Sequence, residues 1–284
     1  MTALLFGGLT ALVWATGAIT SSRSARRVGP LRTLSWVMLV GLVLAVPLAV
    51  WAGTPRGGLH AGTIVWLALA GATNVAGLGC SYAAFARGHV GVVAALVSTE
   101  GALAAALSIL AGERPGPWTL VGLGLATVGV AFVASGTRAT STPDAGDGRA
   151  TAVLLAMVAA LMFGVTLYAS GHVSSQVPAG WVALPARVVG VAAVLGALPF
   201  GVRPGRPSRR LHWAAVTGVL EVVGLVCFAL GARDSIAVTS VVGSQFSALA
   251  AVGAFLIDGE RLSPRQIGGI AWIAVGVAVV AGTA

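Results

Sequence analysis

Two carboxylates stand where ionisation is hardest. Glu100 falls in an apolar run over residues 90–111 and Glu221 in another over 211–232, each close to the middle of its run. A charged group at the centre of a bilayer costs about 2.5–3.5 kcal/mol on insertion scales, so an acid there needs a reason. Either each acid is a protonated packing residue bonded to a neighbouring helix, or it faces an internal cavity where it binds a cation or exchanges a proton. The second reading is the chemistry of a proton-coupled carrier, because a dry cavity penalises the ionised form and makes protonation a usable switch. Asn74 and Gln245 are amides at interior positions of further runs, able to contact a substrate or to bond helix to helix. Arg187, inside the run 181–200, snorkels to the headgroups, pairs with a carboxylate, or meets an anionic group of a substrate. Trp14 and Tyr168 are aromatic walls suited to an organic molecule, or core packing.

Other chemistry finds little support. There is no HExxH, no GxSxG and no phosphate-binding loop, so an intramembrane enzyme and an ATP-driven pump fall away, and no cofactor is implied. His60, His89, His172 and His212 lie in loops or at run ends without ligand spacing, which speaks against a metal. Cys80 and Cys227 sit in apolar runs as small hydrophobes. A scaffold without transport activity would not need acids at mid-membrane.

The elements that must position these residues follow from composition. Charged residues make up 9% of the 284-residue chain, where a soluble domain carries roughly 25%; too little polar surface is present to cover a water-facing globule. The net charge of +9, all of its basic residues being arginine, therefore reads as loop charge beside a membrane rather than as nucleic-acid affinity, and no nucleic-acid partner is expected. Apolar runs fall near 2–20, 32–51, 63–86, 90–111, 117–135, 150–171, 181–200, 211–232, 236–257 and 264–283. Each is close to the roughly 20 residues that span a bilayer. The expected fold is an all-α integral membrane protein of ten helices, multi-pass in the cell membrane, with lipid and a small-molecule substrate as partners and protons as candidate coupling ion. A polar stretch over 136–149 separates five runs from five.

The two sets of five repeat. A shift of 147 places Gly77-Leu78 on Gly224-Leu225, Cys80 on Cys227, Gly112-Glu113-Arg114 on Gly259-Glu260-Arg261, and Gly122 and Gly129 on Gly269 and Gly276. A shift of 146 serves between these blocks, pairing Ser98 and Thr99 with Ser244 and Gln245. Because five is odd, tandem copies over 1–135 and 150–284 must lie in opposite orientation, the inverted-repeat architecture of secondary transporters. Glu221 then falls on Asn74. Of the two acids Glu221 is the stronger candidate switch, since a mate that cannot ionise remains a fixed hydrogen-bonding partner. The paired glycines lie on one face of each fifth helix, which predicts that these helices pack closely together or on another protomer, as a monomer or a homodimer. The Glu-Arg pairs just past helix ends are expected to cap and anchor rather than to touch substrate.

Ten runs in two halves, each with Gly-Glu-Arg after its fourth run and a glycine-rich fifth, resemble the EamA family of the drug/metabolite transporter superfamily. Trp14 after Ala11-Leu12-Val13 and Phe163-Gly164 are similar to its first- and sixth-helix patterns, and Pro185-Ala186-Arg187 to an arginine early in its seventh helix. The resemblance implies an exporter of small organic solutes, amino-acid-like or drug-like, with both termini in the cytoplasm. The arginines point the other way: thirteen lie in the loops following the odd-numbered runs and three, Arg56, Arg114 and Arg233, in the alternate set. By the positive-inside rule that count places both termini outside.

Overall fold

The structure, a computed structural model, describes residues 1–55, 58–88, 90–136, 146–198, 211–250, 252 and 263–283. Its helices are α1 (Thr2–Val28), α2 (Pro30–Trp51), α3 (Ala61–Arg87), α4 (Val90–Val97), α5 (Glu100–Leu110), α6 (Pro117–Gly136), α7 (Gly146–Val173), α8 (Ala179–Ala197), α9 (His212–Ala232), α10 (Ile236–Gly243) and α11 (Pro264–Thr283). Eight segments are long and apolar enough to cross a membrane, with Val92–Leu110 counted as one, and Pro117–Phe132 and Ile236–Ala250 are shorter apolar helices. Residues 137–145 of the linker, Arg56, His89, Arg138, Arg203, Arg206, Arg209, Arg210, Glu260 and Arg261 lie outside the described residues. The end of the stretch read as linker, from Gly146, is already helical.

The interior is built from small residues. Ala45, Ala84, Ala104, Ala126, Ala159, Ala183 and Ala229 are fully enclosed, while Leu5, Val43, Val50, Leu110, Leu154 and Val188 point outward. Lipid is as apolar as leucine, so burying a large side chain inside the bundle gains little; small residues let backbones approach and gain dispersion contacts. The glycines of α6 and α11 show this most directly. A Cβ on Gly122 would lie 2.7 Å from the Gly276 carbonyl, and one on Gly129 would lie 2.7 Å from the Gly269 carbonyl. The expected close packing of these two helices is therefore realised within one chain.

Two runs expected to be continuous are interrupted. The run 90–111 breaks at Ser98-Thr99 between α4 and α5, and the run 236–257 breaks at Ser244-Gln245, with helix resuming at residue 246. At each break a backbone bond tightens to i−3, Thr99 N–H to Leu96 O at 3.2 Å and Gln245 N–H to Val242 O at 3.2 Å. Side chains take up neighbouring carbonyls: Ser98 donates to Ala95 O, Thr99 to Leu96 O, and both Ser244 and Gln245 to Val241 O. These local bonds offer the carbonyls at each interruption an alternative partner to the helical ladder. The breaks meet in space: the Ser98 and Ser247 hydroxyls share a hydrogen bond of 2.9 Å, and Gly101 leaves room for the Ser240 carbonyl and the Ser244 side chain.

Contacts between helix ends sort the loops onto two faces. On one face Arg26 donates to Phe85 O at 3.1 Å and Gly88 O at 2.8 Å, and the Arg23 guanidinium lies 5.2 Å from the Trp213 ring centre. On the other, Trp181 Nε1 donates to Gly53 O, Arg233 donates to Ser174 O and Val177 O, and the amino terminus approaches Asp234 at 3.7 Å. Glu113 belongs to this second face, where it accepts from the Ser235 hydroxyl and the Ala237 N–H. It caps the start of α10, where a negative charge faces free N–H groups. Trp51 and Trp118 are exposed at helix ends, as interfacial anchors are.

Candidate functional site

Between α1, α3, α5, α7 and α9 lies a partly open cavity, with about 550 Å³ of empty space when the part that opens to the outside is counted. Each helix contributes one stripe at helical spacing. On α1 it is Trp14, Gly17, Ala18 and Ser21; on α3 it is Asn74, Leu78, Ser81, Tyr82 and Phe85. Phe163, Thr166 and Leu167 of α7, Glu221 and Leu225 of α9, and Val97, Glu100 and Phe246 at the two breaks complete it. The lining on α3 runs eleven residues from Asn74 toward the Arg26 face, about 16 Å at 1.5 Å per residue. Toward the opposite face the helices are closed on one another. There Gly7 meets Val242, Gly231 meets Thr239 and Gly171 meets Ile236, with no room for a Cβ without displacement.

Four of the residues singled out in the sequence are brought together here: Trp14, Asn74, Glu100 and Glu221. Trp14 stacks on Phe228 with ring centres 6.4 Å apart, and its indole occupies the space left by Gly224. Its Nε1, the Asn74 Oδ1 and the Tyr82 hydroxyl are buried without hydrogen-bond partners. Polar atoms buried in that way carry a desolvation cost that a ligand or a water relieves. Glu100 opens α5, is 3% exposed, and receives no hydrogen bond from a described residue.

The other three stand outside the lining. Tyr168 packs edge-on against Trp66 at 5.7 Å and near His172, forming an aromatic cluster between α3 and α7. Gln245 is held at the second break by its bond to Val241 O at 2.6 Å. Arg187 is 0% exposed: its Nη2 lies 3.7 Å from Glu221 Oε2 and its Nη1 lies 3.7 Å from the Met38 sulfur. Gly41 makes the space, since a Cβ there would come within 2.7 Å of the Arg187 side chain. Of the three readings of this arginine, the structure selects the carboxylate pair. The snorkelling reading fails because the side chain has no exposed surface.

Sequence reasoning passed over Tyr82, Phe85 and Phe246. The first two carried a signal, being eight and eleven residues beyond Asn74 and so on its helix face. Phe246 carried one too, since the shift of 146 that pairs Ser98 and Thr99 with Ser244 and Gln245 sets it opposite Glu100. Cys80 and Cys227 are unbridged and partly buried. Among the described residues no group of three His, Cys, Asp or Glu side chains could hold a metal ion.

Comparison with known proteins adds a family. The model of the EamA-like transporter family matches residues 1–135 and again 150–282. No curated protein matches the sequence. A solved crystal structure superimposes with a TM-score of 0.76 at 18% identity, over 100% of this chain and 99% of its own, and so shares the fold.

Proposed function

Since the chain belongs to the EamA-like transporter family, a family of multi-pass membrane transporters of small molecules, we propose that it is a secondary transporter of small organic solutes working by alternating access around the mid-depth cavity. Export is the direction we assign. The observation that carries the reading is the cavity itself, polar at mid-depth through Asn74, Glu100 and Glu221, with its lining extending along α1 and α3 toward the Arg26 face.

Residues 1–135 and 150–284 act as two five-helix repeats of inverted topology. Support comes from the seam of α6 and α11, where the contacts Gly122 to Gly276 and Gly129 to Gly269 exchange with one another under the shift of 147. The helix breaks at Ser98-Thr99 and Ser244-Gln245 correspond in the same way at 146. Trp14, Asn74, Glu100 and Glu221 contact the substrate, Arg187 acts through Glu221, and Gln245 acts through the second break. Tyr168 stands at one remove, in the cluster with Trp66.

Proton coupling follows if substrate and proton compete for one carboxylate. The titratable and charged groups around the cavity are Glu100, Glu221, Tyr82 and the enclosed Arg187. Glu221 is the candidate favoured by the repeat, but here it already has an ion-pair partner, the Arg187 guanidinium at 3.7 Å. Glu100 lacks such a partner and takes the switching role. A proton arriving at Glu100 neutralises it, releases a bound substrate and lets the empty carrier reorient. Reconstituted vesicles with and without an imposed pH gradient test this, with a panel of amino acids and organic amines. Accumulation of any member that follows the gradient and is lost in Glu100→Gln is expected; no flux of any solute, or flux indifferent to both, overturns the reading.

The arginine-bearing end, toward which the cavity lining extends, is assigned to the cytoplasm by the positive-inside rule. A reporter fused at Ala284 that is active in the cytoplasm would reverse that assignment.

A further inference from the structure

We propose that the cavity is built for a monovalent lipophilic amine cation, with the Glu100 carboxylate as its counter-charge. The proposal rests on the transporter reading of the same cavity and names its substrate class. Three charged groups stand at or behind this space. Arg187 is completely enclosed, held between Met38, Gly41 and Glu221, and contributes nothing to the lining. It meets the Glu221 charge from behind. Glu100 faces the cavity with no cation beside it among the described residues, so the charge of its ionised form is left for a ligand to balance.

No lysine, arginine or histidine lines the cavity among the described residues. A ligand carboxylate entering it would lose its hydration without gaining a cationic partner, and would face Glu221 and the Asn74 Oδ1 instead. An ammonium group meets the opposite situation. Glu100 supplies the charge, while Asn74 Oδ1, buried and without a partner, accepts an N–H. Trp14, Tyr82, Phe85 and Phe163 supply aromatic, apolar walls, and the π-systems of such rings favour a cation over an anion.

Three molecules with one skeleton separate the possibilities. Phenethylamine is a cation at neutral pH, phenylalanine adds a carboxylate to it, and 3-phenylpropionate carries the carboxylate alone. Binding of radiolabelled phenethylamine to the full chain in lipid nanodiscs is measured with each of the three as competitor. Phenethylamine is expected to compete at least tenfold better than phenylalanine, with 3-phenylpropionate weaker still, and Glu100→Gln to weaken phenethylamine binding at least tenfold. Equal or better competition by either carboxylate, no binding of phenethylamine, or unchanged binding in a folded Glu100→Gln protein overturns the proposal. The wild-type ranking decides alone if that variant does not fold. Amine binding without flux would leave this inference standing and remove the transporter reading; flux of phenylalanine with no amine binding would do the reverse.

Discussion

Glu100 and Glu221 line one cavity and live in different surroundings. Glu221 sits in the middle of an unbroken helix, 14% exposed at its side chain, with a guanidinium behind it and a glycine on α2 clearing space for that guanidinium. Glu100 sits at a helix break, 3% exposed, with no partner of opposite charge. The first arrangement ties α8 to α9 across α2; the second leaves a carboxylate with no cation beside it among the described residues. Two acids that look equivalent by depth thus differ in their partners.

The largest effect should come from breaking the pair from its acidic side. Glu221→Gln leaves Arg187 buried and uncompensated, a loss of about 3–5 kcal/mol, read as a lower unfolding temperature in detergent. The double variant Glu221→Gln with Arg187→Met should recover most of that loss. If the single variant is as stable as the parent, the pair holds nothing together. A smaller effect should come from Gly41→Ala. Its new methyl would press on the Arg187 side chain, and overpacking of this kind costs about 1–3 kcal/mol. Transport should fall only in proportion to folded protein, so a specific loss of activity at full stability would place Arg187 closer to the substrate than its burial allows.

The smallest effect on stability should be that of Glu100→Gln, which removes a charge that nothing in the fold compensates. The melting temperature is expected to hold or rise while pH-gradient-driven accumulation is lost. A drop in stability comparable to that of Glu221→Gln would erase the contrast between the two acids.

The fold was legible in the sequence where hydropathy carries it. Eight long apolar helices and two shorter ones occupy the runs, and the glycines spaced by seven on α6 and α11 announced the seam that joins them. Of the candidate residues chosen by depth, Trp14, Asn74, Glu100 and Glu221 line the cavity, whereas Tyr168, Arg187 and Gln245 do not. Depth could not assign partners: the distance from Arg187 to Glu221 depends on how α8 and α9 cross α2, a tertiary fact. The breaks were hidden for a related reason. Ser98, Thr99, Ser244 and Gln245 include no proline or glycine, and only the structure shows all four side chains holding carbonyls of their own segment, with Ser98 also meeting Ser247 of the other.

The seam of α6 and α11 has a consequence for chain connectivity. Each of these helices ends one of the two segments matched by the family model, and each presents glycines against the other's backbone. We expect recognition between the segments to be carried by these surfaces, with the covalent link over residues 136–149 adding mainly local concentration, a modest entropic term. Two polypeptides made from a gene divided within that link should find one another in the bilayer and copurify, whereas bulky residues at Gly122 and Gly276 should keep the fragments apart. In this sense the molecule is a heterodimer that happens to be written as one chain.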